Sequence, residues 1–95
     1  SRQRGVMSES HHSFFMPHYV YILQSLKHQG YYCGSSADVD VRLQKHNSKA
    51  TPSTKTGVPW AVRRIIICES KREALQLEIQ IKKRGIGRWM NDHPE

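Results

Sequence analysis

Tyr21, Tyr32, Arg42, His46 and Glu78 are the side chains whose types and spacing could do chemistry. At about 100° per residue, Ala74, Leu75, Leu77, Ile79 and Ile81 define a broad apolar arc, and Glu78 falls inside it. A carboxylate in a buried stripe is costly unless something offsets its charge. A bound Mg²⁺ would do so, being a hard cation that favours carboxylate oxygen and keeps several waters. An i,i+4 ion pair with Lys82 would also do so, and the residues alone leave both readings open. Arg42 and His46 stand four apart beside the narrow apolar stripe of Val39 and Leu43, so their heads can converge on one point. A guanidinium donates two parallel hydrogen bonds to a phosphoryl oxygen and never loses its charge. An imidazole near neutral pH donates to a phosphate or to an attacking water. The plain alternative is a solvated helix face on which Asp40 pairs with Arg42. If Leu23 lies opposite Gly30, then Tyr21 lies opposite Tyr32 and both rings leave one face of a hairpin. Paired phenols can orient or deprotonate a water, given a cation to lower a pKa near 10. Tyrosines on a hairpin also serve simply as packing.

The elements that must position these groups are short. Residues 1–17 show no period and read as a mobile tail or processed segment, with Phe14 and Phe15 able to fold back on the domain. The domain proper is expected over 18–95. Tyr19-Val20-Tyr21-Ile22-Leu23 reads as a strand, Ser25–Gly30 as a hairpin loop, and Tyr31-Tyr32-Cys33-Gly34 as the returning strand. Asp38 caps a helix over Val39–Asn47. Ser48–Pro59, rich in Ser, Thr, Lys, Gly and Pro, reads as a surface loop. The apolar run Ile65-Ile66-Ile67-Cys68 fits a central, well-covered strand. Ser70-x-x-Glu73 is a capping-box pattern opening a helix that runs to about Arg84 and stops at Gly85, with at most a short helix around Arg88–Asn91. The order β-β-α-β-α, with that possible short C-terminal helix, predicts an α+β domain: a small three-stranded antiparallel sheet flanked by helices.

Composition sets the outer limits. Ninety-five residues allow one domain with a thin core. Fifteen Lys and Arg against eight Asp and Glu give +7, which fits a polyanionic partner because neutralised phosphates release counterions. No apolar run approaches the roughly 20 residues of a membrane span. Cys33 and Cys68 lack ligand spacing and a secretory context, so they read as buried small hydrophobes in a cytoplasmic protein.

Taken in order, Val20-Tyr21-Ile22, Tyr32-Cys33-Gly34, Arg42-Leu43-x-x-His46-Asn47 and Leu77-Glu78-x-x-Ile81-Lys82 resemble the GIY-YIG nuclease superfamily, above all its small stand-alone single-domain members. The resemblance covers about residues 18–84. It implies that Tyr21 and Tyr32 are the motif tyrosines, Arg42 the phosphate-stabilising arginine, His46 the histidine one turn later, and Glu78 the sole protein ligand of one Mg²⁺ or Mn²⁺. Val20 and Ile22 replace the glycine and tyrosine of the first motif, Cys33 the usual isoleucine or valine, and Ser35 a lysine present in some members. Asn91 is the candidate for a late asparagine.

The implied activity is divalent-metal-dependent endonucleolytic hydrolysis, on DNA in preference to RNA and on branched or nicked structures of the kind met in repair or recombination. Lys45, Lys49, Lys55, Lys82, Lys83 and Arg84 are the candidate nucleic-acid contacts, with Arg88 following them; such contacts position a backbone without reading bases. Sequence specificity would need a protein partner, and oligomeric state is open. Trp60 and Trp89 could stack on bases, Trp60 fitting a core anchor better. The alternatives are a non-catalytic nucleic-acid-binding module of the same fold and a protein-interaction domain whose charge is incidental.

Overall fold

The computed structural model describes residues 17–95. The expected tail, including Phe14 and Phe15, lies outside the described residues apart from Pro17. Strand β1 (His18–Ser25) turns into β2 (Tyr31–Ser36); helix α1 (Val39–Asn47), a single 3₁₀ turn and strand β3 (Trp60–Cys68) follow. Helix α2 (Lys71–Arg84) and a short α3 (Ile86–Asp92) close the chain. All strand pairs are antiparallel and the order is β2-β1-β3. The α+β architecture and its element order are as expected, with helices on both sheet faces.

Two predicted details differ. The hairpin register is shifted by two residues: Leu23 lies opposite Tyr32 and Tyr21 opposite Gly34. A shift of two preserves side-chain facing, because successive residues alternate between faces. Tyr21 and Tyr32 therefore share a face as diagonal neighbours, ring centroids 6.4 Å apart. Strand β3 is an edge strand, not a central one, and Ile65 and Ile67 are exposed. The central strand is β1, which is why Val20, Tyr21, Ile22 and Leu23 are all buried.

The two faces of β1 build two cores. Val20 and Ile22, with Cys33 and Cys68, pack against Ala74, Ile81 and Met90 of α2 and α3. Tyr21 and Leu23 pack with Val39 and Trp60 on the face covered by α1. Both cysteines are free and buried, as read from the sequence. The apolar arc of α2 is narrower than predicted: Ala74 and Ile81 are buried, while Leu75 and Ile79 are exposed.

Local signals explain the ends. Asp38 accepts from the Val41 amide at 3.1 Å and caps α1. Ser70 accepts from the Glu73 amide at 3.1 Å, whereas the Glu73 carboxylate reaches one residue past the cap, to the Glu69 amide at 3.2 Å. Gly85 ends α2 with φ 100°, a conformation unfavourable for side-chain-bearing residues, and α3 starts at the next residue.

Candidate active site

Helix α1 presents two kinds of side chain to the sheet. His46 is seven residues after Val39 and three after Leu43, so it lies within the apolar stripe, and it is 1% exposed. Arg42 lies beside that stripe and is partly exposed. The sequence reading placed both along the edge of the stripe with their heads converging on one point, or else on a solvated face. The structure instead buries the imidazole and leaves the guanidinium as the outer group.

The buried imidazole meets the hairpin. Its Nε2 is 3.1 Å from the Tyr21 hydroxyl, and its ring centroid is 4.8 Å from that of Tyr32. Its Nδ1 is 2.8 Å from the hydroxyl of Thr54, a fully buried residue. Gly34 makes room for this arrangement. A Cβ there would lie 2.5 Å from the Tyr21 hydroxyl oxygen, so only glycine lets that ring lie across β2.

Charge follows from burial. Burial pushes the Tyr21 phenol above its usual pKa, and the Arg42 guanidinium beside it opposes that rise. Burial first, and the Arg42 charge second, hold His46 below its ordinary value, so the ring is neutral near pH 7. Tyr21 in turn favours the charged form of Arg42, yet the Arg42 Nε is buried without a hydrogen-bond partner. An unpaired buried donor on a cation is costly, and an anionic oxygen would satisfy it. No ion pair joins Asp40 to Arg42 among the described residues.

Glu78 comes from the other side of the sheet. It lies four residues after Ala74 and three before Ile81, on the buried stripe of α2, and its side chain is 18% exposed. Its charge adds to the rise in the pKa of Cys33 and, least among the causes, of Tyr21. Burial, with that charge added, pushes the Cys33 thiol up to about 12, so it stays protonated near neutral pH. Lys82 donates to the Glu78 carboxylate at 2.6 Å and stands 5.9 Å from the centre of the Tyr32 ring.

A metal at Glu78 must be judged against this donor set. Among the described residues there is no group of three or more His, Cys, Asp or Glu able to hold an ion. One carboxylate suits Mg²⁺ or Mn²⁺ that keeps waters and takes remaining ligands from a substrate phosphate. The residues fit such an ion once Lys82 yields its contact, and they do not fit a zinc cage.

The remaining candidates are spread along the surface. Lys45, Lys49, Lys55 and Lys83 are exposed and enter no ion pair among the described residues. Lys82 is bound to Glu78, and Arg84 to Asp92 at 2.7 Å. Trp60 is a core anchor, and Trp89 is half-buried under Arg64 and stacked on His93. A concavity of about 280 Å³ lined by Tyr19, Ala37, Asp38, Val39, Asp40 and Ile65 contains none of the predicted site residues. Two carboxylates in its wall make it unsuited to a phosphate.

One contributor escaped the sequence reading, and another was named there only as part of a motif. Thr54 sits in a stretch composed like a surface loop, yet it touches His46. Asn47 clips α1 to β3, its amide accepting from the Trp60 backbone N–H at 2.6 Å and donating to the Trp60 carbonyl at 3.1 Å. The burial of Trp60, whose indole donates to the Thr54 carbonyl at 2.7 Å, is the signal that the loop folds inward.

The three-stranded antiparallel sheet with its flanking helices is consistent with the GIY-YIG fold, and the GIY-YIG catalytic domain matches residues 17–85. The chain belongs to this family, a family of nucleases acting on nucleic acids. Its relatives are UPF0213 proteins. It is 38% identical over 68 residues to the UPF0213 protein BH0048 of Halalkalibacterium halodurans, spanning 70% of this chain and 71% of that protein. It is 36% identical over 62 residues to a UPF0213 protein of Lactococcus lactis subsp. cremoris, spanning 64% and 62%. The solution NMR structure of UPF0213 protein BH0048 from Bacillus halodurans superposes with a TM-score of 0.50 at 32% identity, over 80% of this chain and 81% of that one. Among the described residues no helix is long and apolar enough to cross a membrane.

Proposed function

We propose that this domain is an endonuclease that hydrolyses phosphodiester bonds in DNA, structure-specific rather than sequence-specific, with Glu78 holding one Mg²⁺ or Mn²⁺. The observation that carries this reading is a charged guanidinium with a buried, unpaired Nε beside a phenol that is hydrogen-bonded to a neutral imidazole. The cytoplasm is the expected location.

In this reading Arg42 takes a non-bridging oxygen of the scissile phosphate, satisfying its Nε and leaving the Tyr21 hydroxyl. Tyr21 then accepts the proton of the attacking water while its own proton passes to Nε2 of His46, which becomes imidazolium. Water attacks phosphorus in line with the 3′ oxygen; that bond breaks, and the departing oxygen is protonated from solvent. A phenol can accept a proton only if it can pass its own on. Tyr21 has His46 to receive it at 3.1 Å, and Tyr32 has no comparable acceptor among the described contacts. Tyr32 instead packs against His46 and lies near Lys82, fixing the imidazole from one side. An ion bound by Glu78 supplies Lewis-acid stabilisation of the charge on phosphorus and the leaving oxygen. Lys45, Lys49, Lys55 and Lys83 hold the backbone of the substrate, joined by Lys82 and Arg84 when their carboxylate partners let go.

A second reading, binding without cleavage, is favoured by one observation: Glu78 is already satisfied by Lys82. Plasmid and branched DNA incubated with Mg²⁺ or Mn²⁺, beside Glu78→Ala and Arg42→Ala, separate the two. Cleavage lost in both variants supports the nuclease. Salt-dependent binding with no cleavage by any form supports the binding module.

A further inference from the structure

The proton relay works in one direction only if Nε2 of His46 carries no hydrogen, and a neutral imidazole has two tautomers. The hydroxyl of Thr54 bears on which one is present. That hydroxyl has a single hydrogen and two polar neighbours: the Thr51 carbonyl oxygen at 3.3 Å, which can only accept, and Nδ1 of His46 at 2.8 Å. When it donates to Thr51, the hydroxyl is left an acceptor toward Nδ1, and the imidazole proton then sits on Nδ1. We propose that Thr54 is a positioning residue that fixes His46 in the Nδ1–H tautomer, leaving Nε2 bare to accept from Tyr21. The proposal deepens the relay reading above and rests on it.

Thr54 is held as a positioning group must be. It is 1% exposed, so water does not compete for Nδ1. Its carbonyl accepts from the Trp60 indole at 2.7 Å and from the Gly57 amide at 3.1 Å. Its own amide donates to Thr51 at 3.1 Å. The loop is tied a second time where the Ser25 hydroxyl donates to the Gly57 carbonyl at 2.6 Å. A partner on the far ring nitrogen of a working histidine sets its tautomer and orientation. Without an acceptor at Nδ1, the imidazole would turn its hydrogen to Nε2 and point it at the Tyr21 oxygen. Tyr21 could then no longer hand its proton on.

The test is nitrogen-resolved NMR of the His46 ring in the full chain, under conditions where the ring is neutral, with DNA cleavage measured alongside. The expected wild-type spectrum has a protonated Nδ1 and a bare Nε2. Thr54→Val keeps the shape and removes the acceptor; it moves the proton to Nε2 and lowers cleavage roughly 10- to 100-fold. Thr54→Ser, which keeps the hydroxyl, restores both. The proposal is overturned if the wild-type ring carries its proton on Nε2, which needs no variant to fold. It is equally overturned if Thr54→Val keeps the Nδ1–H signature, or if Thr54→Ser recovers neither reading. Failure of the wild type to cleave any DNA would sink the nuclease reading, while the ring signals would still decide the tautomer.

Discussion

The Tyr21 hydroxyl lies 3.1 Å from Nε2 of His46, twenty-five residues later in the chain, and the contact is buried. Strand β1 supplies the phenol and α1 the imidazole, so the bond joins the central strand to the helix over it. It ties the packing of that face to its chemistry.

Removing either phenol should therefore have unequal effects. Tyr21→Phe leaves Nε2 of His46 buried without a partner, which costs about 1–3 kcal/mol of stability. It is expected to lower cleavage by roughly 10²- to 10⁴-fold. Tyr32→Phe touches a half-buried ring and should retain stability and lose less activity. Denaturant melts and single-turnover cleavage of the two variants give the comparison; equal losses would contradict the relay.

Gly34→Ala tests the space under the Tyr21 ring. The added methyl would meet the hydroxyl oxygen at 2.5 Å, forcing the ring off its place against His46. A loss of about 1–3 kcal/mol is expected, with cleavage falling further than the melting temperature alone explains. An unchanged rate in a stable Gly34→Ala protein would contradict the close approach.

Sequence reasoning reached some of this geometry and missed the rest for physical reasons. Glu78 was legible because an acid on the stripe of Ala74 and Ile81 breaks an apolar pattern. The facing of the two tyrosines was legible because strand periodicity is two, and it survived a hairpin register off by two. The position of β3 was not legible: Ile65-Ile66-Ile67-Cys68 reads as fully covered, yet an edge strand leaves Ile65 and Ile67 exposed. Strand order depends on pairing between distant segments, which a local apolar run does not encode. Thr54 was hidden because a threonine among serine, lysine and proline has the composition of a surface loop. Its burial follows from Trp60, whose indole draws the loop inward.

Acidification should weaken both stability and activity. The fold holds His46 below its ordinary 6.5, by burial and by the Arg42 charge. The unfolded chain therefore binds that proton first. The stability gained from a neutral ring is complete above about pH 6.5 and is lost as pH falls through the folded value. His46→Gln removes this titration, so its melting temperature should fall less than that of the wild type between about pH 7.5 and about pH 5. The acid limb of wild-type cleavage should have its midpoint below 6.5; a midpoint above that value would contradict a neutral His46.

Lys82 competes with any cation for Glu78. Their contact at 2.6 Å is part-exposed, the lysine side chain 49% and the glutamate 18%. Such a pair is worth up to about 1 kcal/mol. Lys82→Met should accordingly tighten Mn²⁺ binding to the free protein by roughly 2- to 5-fold, read by titration calorimetry. Weaker binding in Lys82→Met would show that the lysine supports the ion instead of displacing it.

The central proposal is that Glu78 is the metal ligand acting together with Arg42 and the two phenols. Anomalous scattering from crystals soaked with Mn²⁺ tests that most directly. The predicted result is a peak beside the Glu78 carboxylate, with Lys82 moved away from it. A protein that cleaves DNA with Mn²⁺ yet shows its peak elsewhere, with Glu78 still bound to Lys82, would contradict the account.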